Sequence, residues 1–442
     1  MLLEFSVKNF LSIKDKVIFS LYASDEVEGH EELNLIPVGG QYILKTAVIY
    51  GANASGKSNL IKAMGFMRAV IVNSLKLNPD ESIVPTQNYP SFQLHPDTVK
   101  APLEMEVCFL HSDIYYRYGF TLDSNKIHHE WLYSAPEENE VLLYERNLKK
   151  DNSYGYEIPE SFSIANNYIK DNALPANTLL LAVLAKFTDS PARQVMEWIV
   201  NTFNIISSPD EDTYEGFTYS KLDDENYRAD ILNFLKVADV GIENVLLEPV
   251  ALTDLSDNFP KKISKKQRND LTNLISKLQD AKQVVFQHNV FDDKGEIIGK
   301  KNWGQNHESA GTKKLFALSG PLIETLQKGE ILVIDELDAK LHPMIMRFIL
   351  GLFHSQEHNP HNAQLIFATH DTQLLSPSFF RRDQIWFTEK KPCGATELYS
   401  LADSELSDDA DFAGDYFKGR YNAVPFIGDL HLFDKGIKHG KG

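Results

Sequence analysis

Eight residues, Gly51-Ala52-Asn53-Ala54-Ser55-Gly56-Lys57-Ser58, constrain this chain more than any other stretch. They follow Thr46–Tyr50, apolar and β-branched enough for a buried strand. They precede a segment from Ser58 to about Leu75 that is apolar almost all round, with polar Asn59, Lys62 and Arg68 on one narrow stripe. The pattern predicts a strand, a glycine turn and a helix packed against a sheet. In that geometry the loop's backbone N–H groups converge on phosphate oxygens, and the helix dipole adds positive potential at the same point. Lys57 would reach the outer phosphates as a point charge, and the Ser58 hydroxyl would ligate a bridging Mg2+. Gly51, Ala52, Asn53, Ala54, Ser55, Gly56, Lys57, Ser58 and Asn59 are therefore the candidate nucleotide-contacting residues.

Composition narrows the classes. With 442 residues the chain has room for two or three domains, or for one large core carrying an insertion. Lys+Arg 44 against Asp+Glu 62 leaves a net charge of −18, which argues against a charge-driven grip on nucleic acid while allowing a local basic groove. No apolar run approaches the roughly 18 residues of a membrane span, and Glu4 and Lys8 interrupt the first strand where a signal peptide would be apolar. The expectation is a cytoplasmic protein with no membrane partner. Cys108 and Cys393 supply neither a disulfide framework nor a cysteine zinc site.

Along the chain, Leu3, Phe5 and Val7, then Val17, Phe19 and Leu21, alternate as half-buried strands before the loop. After a polar, proline-bearing stretch from Asn78 to Pro102, Leu103–Phe109, Tyr115–Leu122, Ile127–Tyr133 and Val141–Tyr144 predict an antiparallel meander. Pro159–Asn204, Tyr227–Val237 and Ser264–Gln283 read as helices of ordinary length. Val284–Phe291 and Glu296–Ile298 read as a hairpin turning at Asp292–Gly295. The predicted fold is α/β: a mixed sheet core with an antiparallel β subdomain and a helical insertion. Residues 1–148 and 283–442 form two halves of one head around a mainly helical 149–282.

The second half carries more chemistry. Ile331–Ile334 is an apolar strand leading into Asp335 and Glu336. Upstream, Ser309-Ala310-Gly311-Thr312 opens an apolar-periodic segment, so its serine and glycine stand at a helix N-terminus able to receive an anion. Gly320-Pro321 predicts a kink or break in that helix. Downstream come a loop with Asp338, a helix, and the strand Gln364–Ala368 ending in Thr369-His370-Asp371.

In this order the set resembles the ATP-binding-cassette type of P-loop NTPase, in the RecF/SMC/OLD branch where an insertion separates two halves. The opening Leu2–Phe10, the segment Glu308–Lys314 and the terminal Tyr416–Pro425 are similar to bacterial AAA ATPases related to RloA and AbiL, which are linked to restriction loci and phage defence beside a separate effector. The resemblance implies ATP and Mg2+, and a homodimer or higher even-numbered oligomer with shared sites. It implies that Asp335 holds the metal through water, Glu336 polarises the attacking water, and His370 and Asp338 attend the nucleotide. Ser309 and Gly311 would come from the partner. The preference for ATP over GTP rests on that resemblance alone. The family's metal-contacting glutamine is Gln87 or Gln93, and spacing does not choose between them.

Other features are weaker. His354, His358 and His361 are spaced for one helical face, but Asn359-Pro360 breaks it. Asp383, Glu389 and Lys391 faintly resemble a nuclease set. Lys261, Lys262, Lys265, Lys266 and Arg268 are the candidates for touching a nucleic-acid backbone, although such clusters are more often solvated helix entries. The implied function is an ATP-hydrolysing dimeric switch of an anti-phage system, abortive-infection or restriction-linked, that controls an effector. The alternative is an OLD-like nuclease or a RecF/SMC-like DNA-processing ATPase.

Overall fold

The computed structural model describes residues 1–135, 139–171, 174–207, 211–249, 282–404 and 410–424. The chain divides into two compact units. The first takes Met1–Pro209, Thr325–Ala339 and Ile349–Gly442, and the second takes Asp210–Glu324 and Lys340–Phe348. The lysine cluster from 261 to 268 and most of the helix expected over 264–283 lie outside the described residues.

In the first unit the alternating N-terminal strands β1 (Leu2–Lys8) and β2 (Val17–Ser20) do not stand apart from the meander. They extend it. Strands β6 (Leu103–His111), β7 (Ile114–Leu122), β8 (Ile127–Ala135), β9 (Val141–Leu148) and β10 (Tyr154–Glu157) pair in sequence, and β6 pairs antiparallel with β1. The result is a seven-stranded sheet in the order β10-β9-β8-β7-β6-β1-β2. A two-stranded ribbon, β3 (Leu35–Val38) and β4 (Gln41–Leu44), leads to β5 (Thr46–Gly51), every residue of which is buried.

Strand β5 sits inside a second sheet of order β11-β15-β16-β5-β17-β18, built from β11 (Phe203–Ile206), β15 (Ile331–Ile334), β16 (Gln364–Ala368), β17 (Ile385–Lys390) and β18 (Thr396–Ser400). All pairs in it are parallel except β17 with β18. The central strands β15, β16 and β5 are buried along their whole length and read as nearly continuous apolar runs, while β11, β17 and β18 toward the edges carry polar residues. Residues 203–206 contradict the expectation that helix runs on to Asn204, because Phe203 and Ile205 pair with Ile331 and Val333.

Helix α1 (Lys57–Asn73) buries Leu60, Ile61, Met64 and Met67 in one continuous cluster with side chains of both sheets. Helices α2 (Ser163–Asp171), α3 (Leu180–Leu184) and α4 (Pro191–Asn201) complete this cluster. Trp198 of α4 stacks on Phe109 at 3.8 Å between centroids and on Phe203 at 5.2 Å, joining the antiparallel sheet to the parallel one. Glu130 and Arg146 are fully buried side by side. Glu130 accepts from Tyr144, from Tyr118 and from the Leu180 and Leu181 backbone N–H groups, so a carboxylate caps the start of α3 inside the core.

The second unit contains α5 (Glu211–Lys221), α6 (Glu225–Val237) and the antiparallel sheet of β12 (Asn244–Pro249), β13 (Lys282–Phe291) and β14 (Ile297–Gly304). The hairpin is longer than its apolar pattern suggested. Helix α7 runs from Ala310 to Lys328 without the expected break. Pro321 has no N–H for the Ala317 carbonyl, and Thr218 Oγ1 donates to that carbonyl instead, at 2.6 Å. Thr218 Oγ1 also accepts from the Gly320 N–H at 3.2 Å, and a side chain on Gly320 would collide with Thr218. Two further helices are α8 (Pro343–His354) and α9 (Phe412–Phe417).

His354, at the end of α8, is half-buried, and its Nε2 lies 2.8 Å from Thr46 Oγ1. Burial first, then the charges of Lys45 and His30, push its pKa down to about 3. Below about pH 6.5 the unfolded chain binds a proton here that the folded protein refuses until about pH 3, so stability falls as pH falls through that window. The expected contribution to the loss at pH 5 is about 2 kcal/mol. In urea titrations at pH 7 and pH 5, His354→Gln should lose less stability on acidification than the natural protein, and an equal loss would contradict the assignment.

Candidate functional site

Parallel pairing brings the C-terminal ends of β15, β16, β5 and β17 to one edge of the sheet, which is where open α/β sheets place their ligands. The loop after β5 leads directly into α1, whose N-cap is Gly56 with φ 118°. That φ excludes a side chain sterically, and a Cβ at Gly56 would also overlap the Thr396 side chain. Ala54 is left-handed as well, with φ 62°.

The loop is braced from behind by hydroxyl groups that spacing did not single out. Asn59 Nδ2 donates to Ser12 Oγ at 2.7 Å, Ser12 Oγ lies 2.6 Å from Thr396 Oγ1, and Thr396 Oγ1 donates to the Ser55 carbonyl at 2.7 Å. Ser55 Oγ lies 2.6 Å from Thr388 Oγ1. Asn59 thus supports the loop's backbone through Ser12. The signals in the sequence are a threonine late in the apolar strand β17 and another opening β18, which many strands show.

Lys57 is buried, and its Nζ donates to the carbonyls of Gly51 at 2.7 Å and Ala52 at 3.2 Å. Burial lowers its pKa to about 8 against the opposing pull of Asp335, Glu336 and Asp338. Those three carboxylates, drawn from β15 and the loop after it, are thus gathered around the P-loop lysine. Asp335 is 7% exposed and its pKa is raised by burial, with Glu336 adding to the rise; a hydrogen bond from Ser58 and the charges of Lys62 and Lys57 oppose it. Glu336 is left-handed at φ 51°, a conformation costing about 1 kcal/mol in a non-glycine residue. It turns the chain sharply, and the Leu337 N–H donates to the Ala368 carbonyl. His370 follows β16, and its N–H donates to Asp338 Oδ2 at 3.2 Å. Burial lowers the His370 pKa, and the Lys57 charge adds to that while the three carboxylates oppose it.

These residues fit a nucleotide phosphate with a divalent cation. The Ser58 hydroxyl lies close enough to Asp335 to help hold its carboxylate charged. Three carboxylates act on Lys57, and Lys62 also bears on Asp335. Asp338 Oδ1 is a buried oxygen with no hydrogen-bond partner.

Ser309 stands at the start of α7, accepting from the Thr312 N–H at 3.1 Å, and Gly311 lies against the carbonyl of Lys340, 2.8 Å from where a Cβ would be. Both belong to the second unit. Gln93 lies in a segment tied to the Phe10–Ile13 turn, where Phe92 N–H donates to Asn9 Oδ1 and Leu11 N–H to the Pro90 carbonyl. Gln87 lies in the short 3-10 turn Thr86–Asn88. The faint nuclease set is not assembled, because Asp383 is paired with Arg381 at 2.9 Å and Lys391 with Glu397 at 2.7 Å.

The model of the family described as "AAA domain, putative AbiEii toxin, Type IV TA system" matches residues 47–163 and 204–376, about two thirds of the chain, and the chain belongs to that family. Its matched stretches contain the P-loop, Ser309, Gly311, Asp335–Asp338 and His370. Among solved structures the chain is similar to the SMC head domain from Thermotoga maritima, at 13% identity over 92% of this chain and 99% of that one, with a TM-score of 0.39. No curated protein matches. Family and strand order together give an α/β fold of the AAA-domain family, with a mixed, mostly parallel sheet and a separate antiparallel one. No helix among the described residues is long and apolar enough to cross a membrane.

If the loop's shape depends on its bracing, Thr396→Val leaves the Ser55 carbonyl and the Ser12 hydroxyl short of a partner. Calorimetric titration with ATP should then show affinity reduced about fivefold, equivalent to about 1 kcal/mol, with the fold retained. Unchanged affinity would show that the loop holds its shape unaided.

Proposed function

We propose that this chain is an ATP-hydrolysing switch that works as a dimer, with each nucleotide held between the P-loop of one copy and the Ser309–Gly311 segment of the other. The observation that supports the reading is the gathering of Lys57, Ser58, Asp335, Glu336, Asp338 and His370 on one sheet edge, with Ser309 and Gly311 at a helix N-terminus in a separate compact unit. A bound Mg2+ would neutralise phosphate charge, with Ser58 as a direct ligand and Asp335 holding it through water. Glu336 would accept the proton of the attacking water, its backbone already turned out of the strand direction. His370 would sense the outermost phosphate, and Lys57 would exchange its loop carbonyls for phosphate oxygens. Loss of that phosphate removes the charge that Ser309 and Gly311 bind, so hydrolysis opens the dimer.

The chain's role is the regulatory or sensor ATPase of a cytoplasmic anti-phage system with a separate effector. The family description, "putative AbiEii toxin, Type IV TA system", supports membership of a two-protein system. Within residues 149–282, the insertion between the two halves of the head is the part from Asp210 onward, because β10 and β11 pair into the sheets of the first unit.

Glu336→Gln should keep ATP binding, slow phosphate release at least about 100-fold and accumulate a closed dimer visible by light scattering. Normal turnover would remove Glu336 from its assigned role. Pulling down this trapped variant from its host should bring the effector with it. Cleavage of plasmid DNA by the purified protein alone, with ATP and Mg2+, would instead favour the self-contained nuclease.

A further inference from the structure

The hairpin that precedes Ser309 grips the neighbouring residue, Glu308, by its carboxylate. Glu308 is 7% exposed at its side chain, and its Oε1 accepts from His288 Nε2 of β13 at 2.7 Å and from Trp303 Nε1 of β14 at 2.5 Å. The two donors are themselves stacked, with ring centroids 4.3 Å apart. The backbone from the end of β14 to α7 is a single 3-10 turn, Gln305–His307, whose Gln305 side chain donates to Glu215 of α5 at 2.6 Å. Further along α7, Phe316 packs edge-on against Phe286 of β13 at 5.1 Å. Gly311 already lies against the Lys340 carbonyl, so the helix start has no room to move that way.

We infer that Glu308 is a positioning residue: held by His288 and Trp303, it fixes where Ser309 and Gly311 are presented and thereby sets the competence of the shared nucleotide site. A carboxylate taking two hydrogen bonds, one from each strand, transmits the hairpin's position with little slack, because leaving either donor unpaired in a nearly closed pocket is unfavourable. The inference rests on the proposal that Ser309 and Gly311 complete the site of another copy. It assigns the hairpin to that half of the site and leaves the P-loop half unaffected.

The test compares Glu308→Ala, Glu308→Gln, His288→Ala and Trp303→Phe with the natural full-length chain. Readouts are kcat and KM for ATP, affinity for a fluorescent ATP analogue, and ATP-dependent dimer formation in the Glu336→Gln background. Glu308→Ala and His288→Ala should lower kcat at least about tenfold and weaken the dimer, while analogue affinity stays within about twofold. Glu308→Gln, which keeps an oxygen acceptor, should recover most of the rate. Trp303→Phe keeps the ring and removes only the N–H, so it reports even if the alanine variants fail to fold, and it should fall between. Natural kcat in Glu308→Ala or Trp303→Phe would overturn the inference, as would analogue affinity falling in step with kcat. Ser309→Arg, measured alongside, separates the two levels. If it abolishes turnover and dimer formation while the Glu308 variants behave normally, the hairpin's role alone fails; if it changes neither, the shared-site reading fails and this inference with it.

Discussion

Strand β5 is hydrogen-bonded on both sides to parallel neighbours, and everything at the site follows from that pairing. Because β16 and β17 run the same way, Ala368 is level with Ile49 and Thr388 with Gly51, so the loops after three strands leave the sheet together. Strand β15 pairs with the far side of β16 and delivers Asp335 and Glu336 to the same edge. The strand carrying the acids is therefore one strand away from the P-loop, with the histidine-bearing strand between them. Apolar burial of β5 fixes this arrangement. Val48 and Ile49 are fully buried, each contributing about 1.5–3 kcal/mol relative to exposure.

Where the chain buries polar groups, it supplies partners from far away in sequence. The Glu130 carboxylate is surrounded by two tyrosine hydroxyls, two backbone N–H groups and Arg146, which ties the helical segment beginning near Leu180 to the meander. Thr218 supplies the donor that Pro321 withholds from Ala317, with glycine at position 320 to let it approach. The hydroxyl relay from Asn59 through Ser12 and Thr396 to Ser55 does the same for the P-loop backbone. Each case answers the cost of an unpaired polar group in a low-dielectric interior. None of these partners lies within fifteen residues of the group that needs it except Tyr118 and Tyr144, on the strands flanking Glu130.

The local motifs were legible because their physics is local. A glycine turn between strand and helix, an apolar strand running into two acids, and a serine at a helix start each declare themselves within about ten residues. Strand β11 was not legible: four residues with an asparagine among them, beyond a helix, look like a helix end until Ile331–Ile334 is there to pair with them. The break anticipated at Pro321 followed from a sound local rule, and a residue a hundred positions away answered it.

From the sequence alone came the strand–glycine turn–helix pattern of a P-loop at Gly51–Ser58, the acids and histidine that follow apolar strands, and the α/β class. Those are statements about spacing and periodicity, which one stretch can satisfy alone. The tertiary structure decided which strands lie side by side, that Asn59 supports the loop through Ser12, and that Glu308 is gripped by both strands of a hairpin. Those depend on which distant polar groups must share a buried space, and no single segment carries that information.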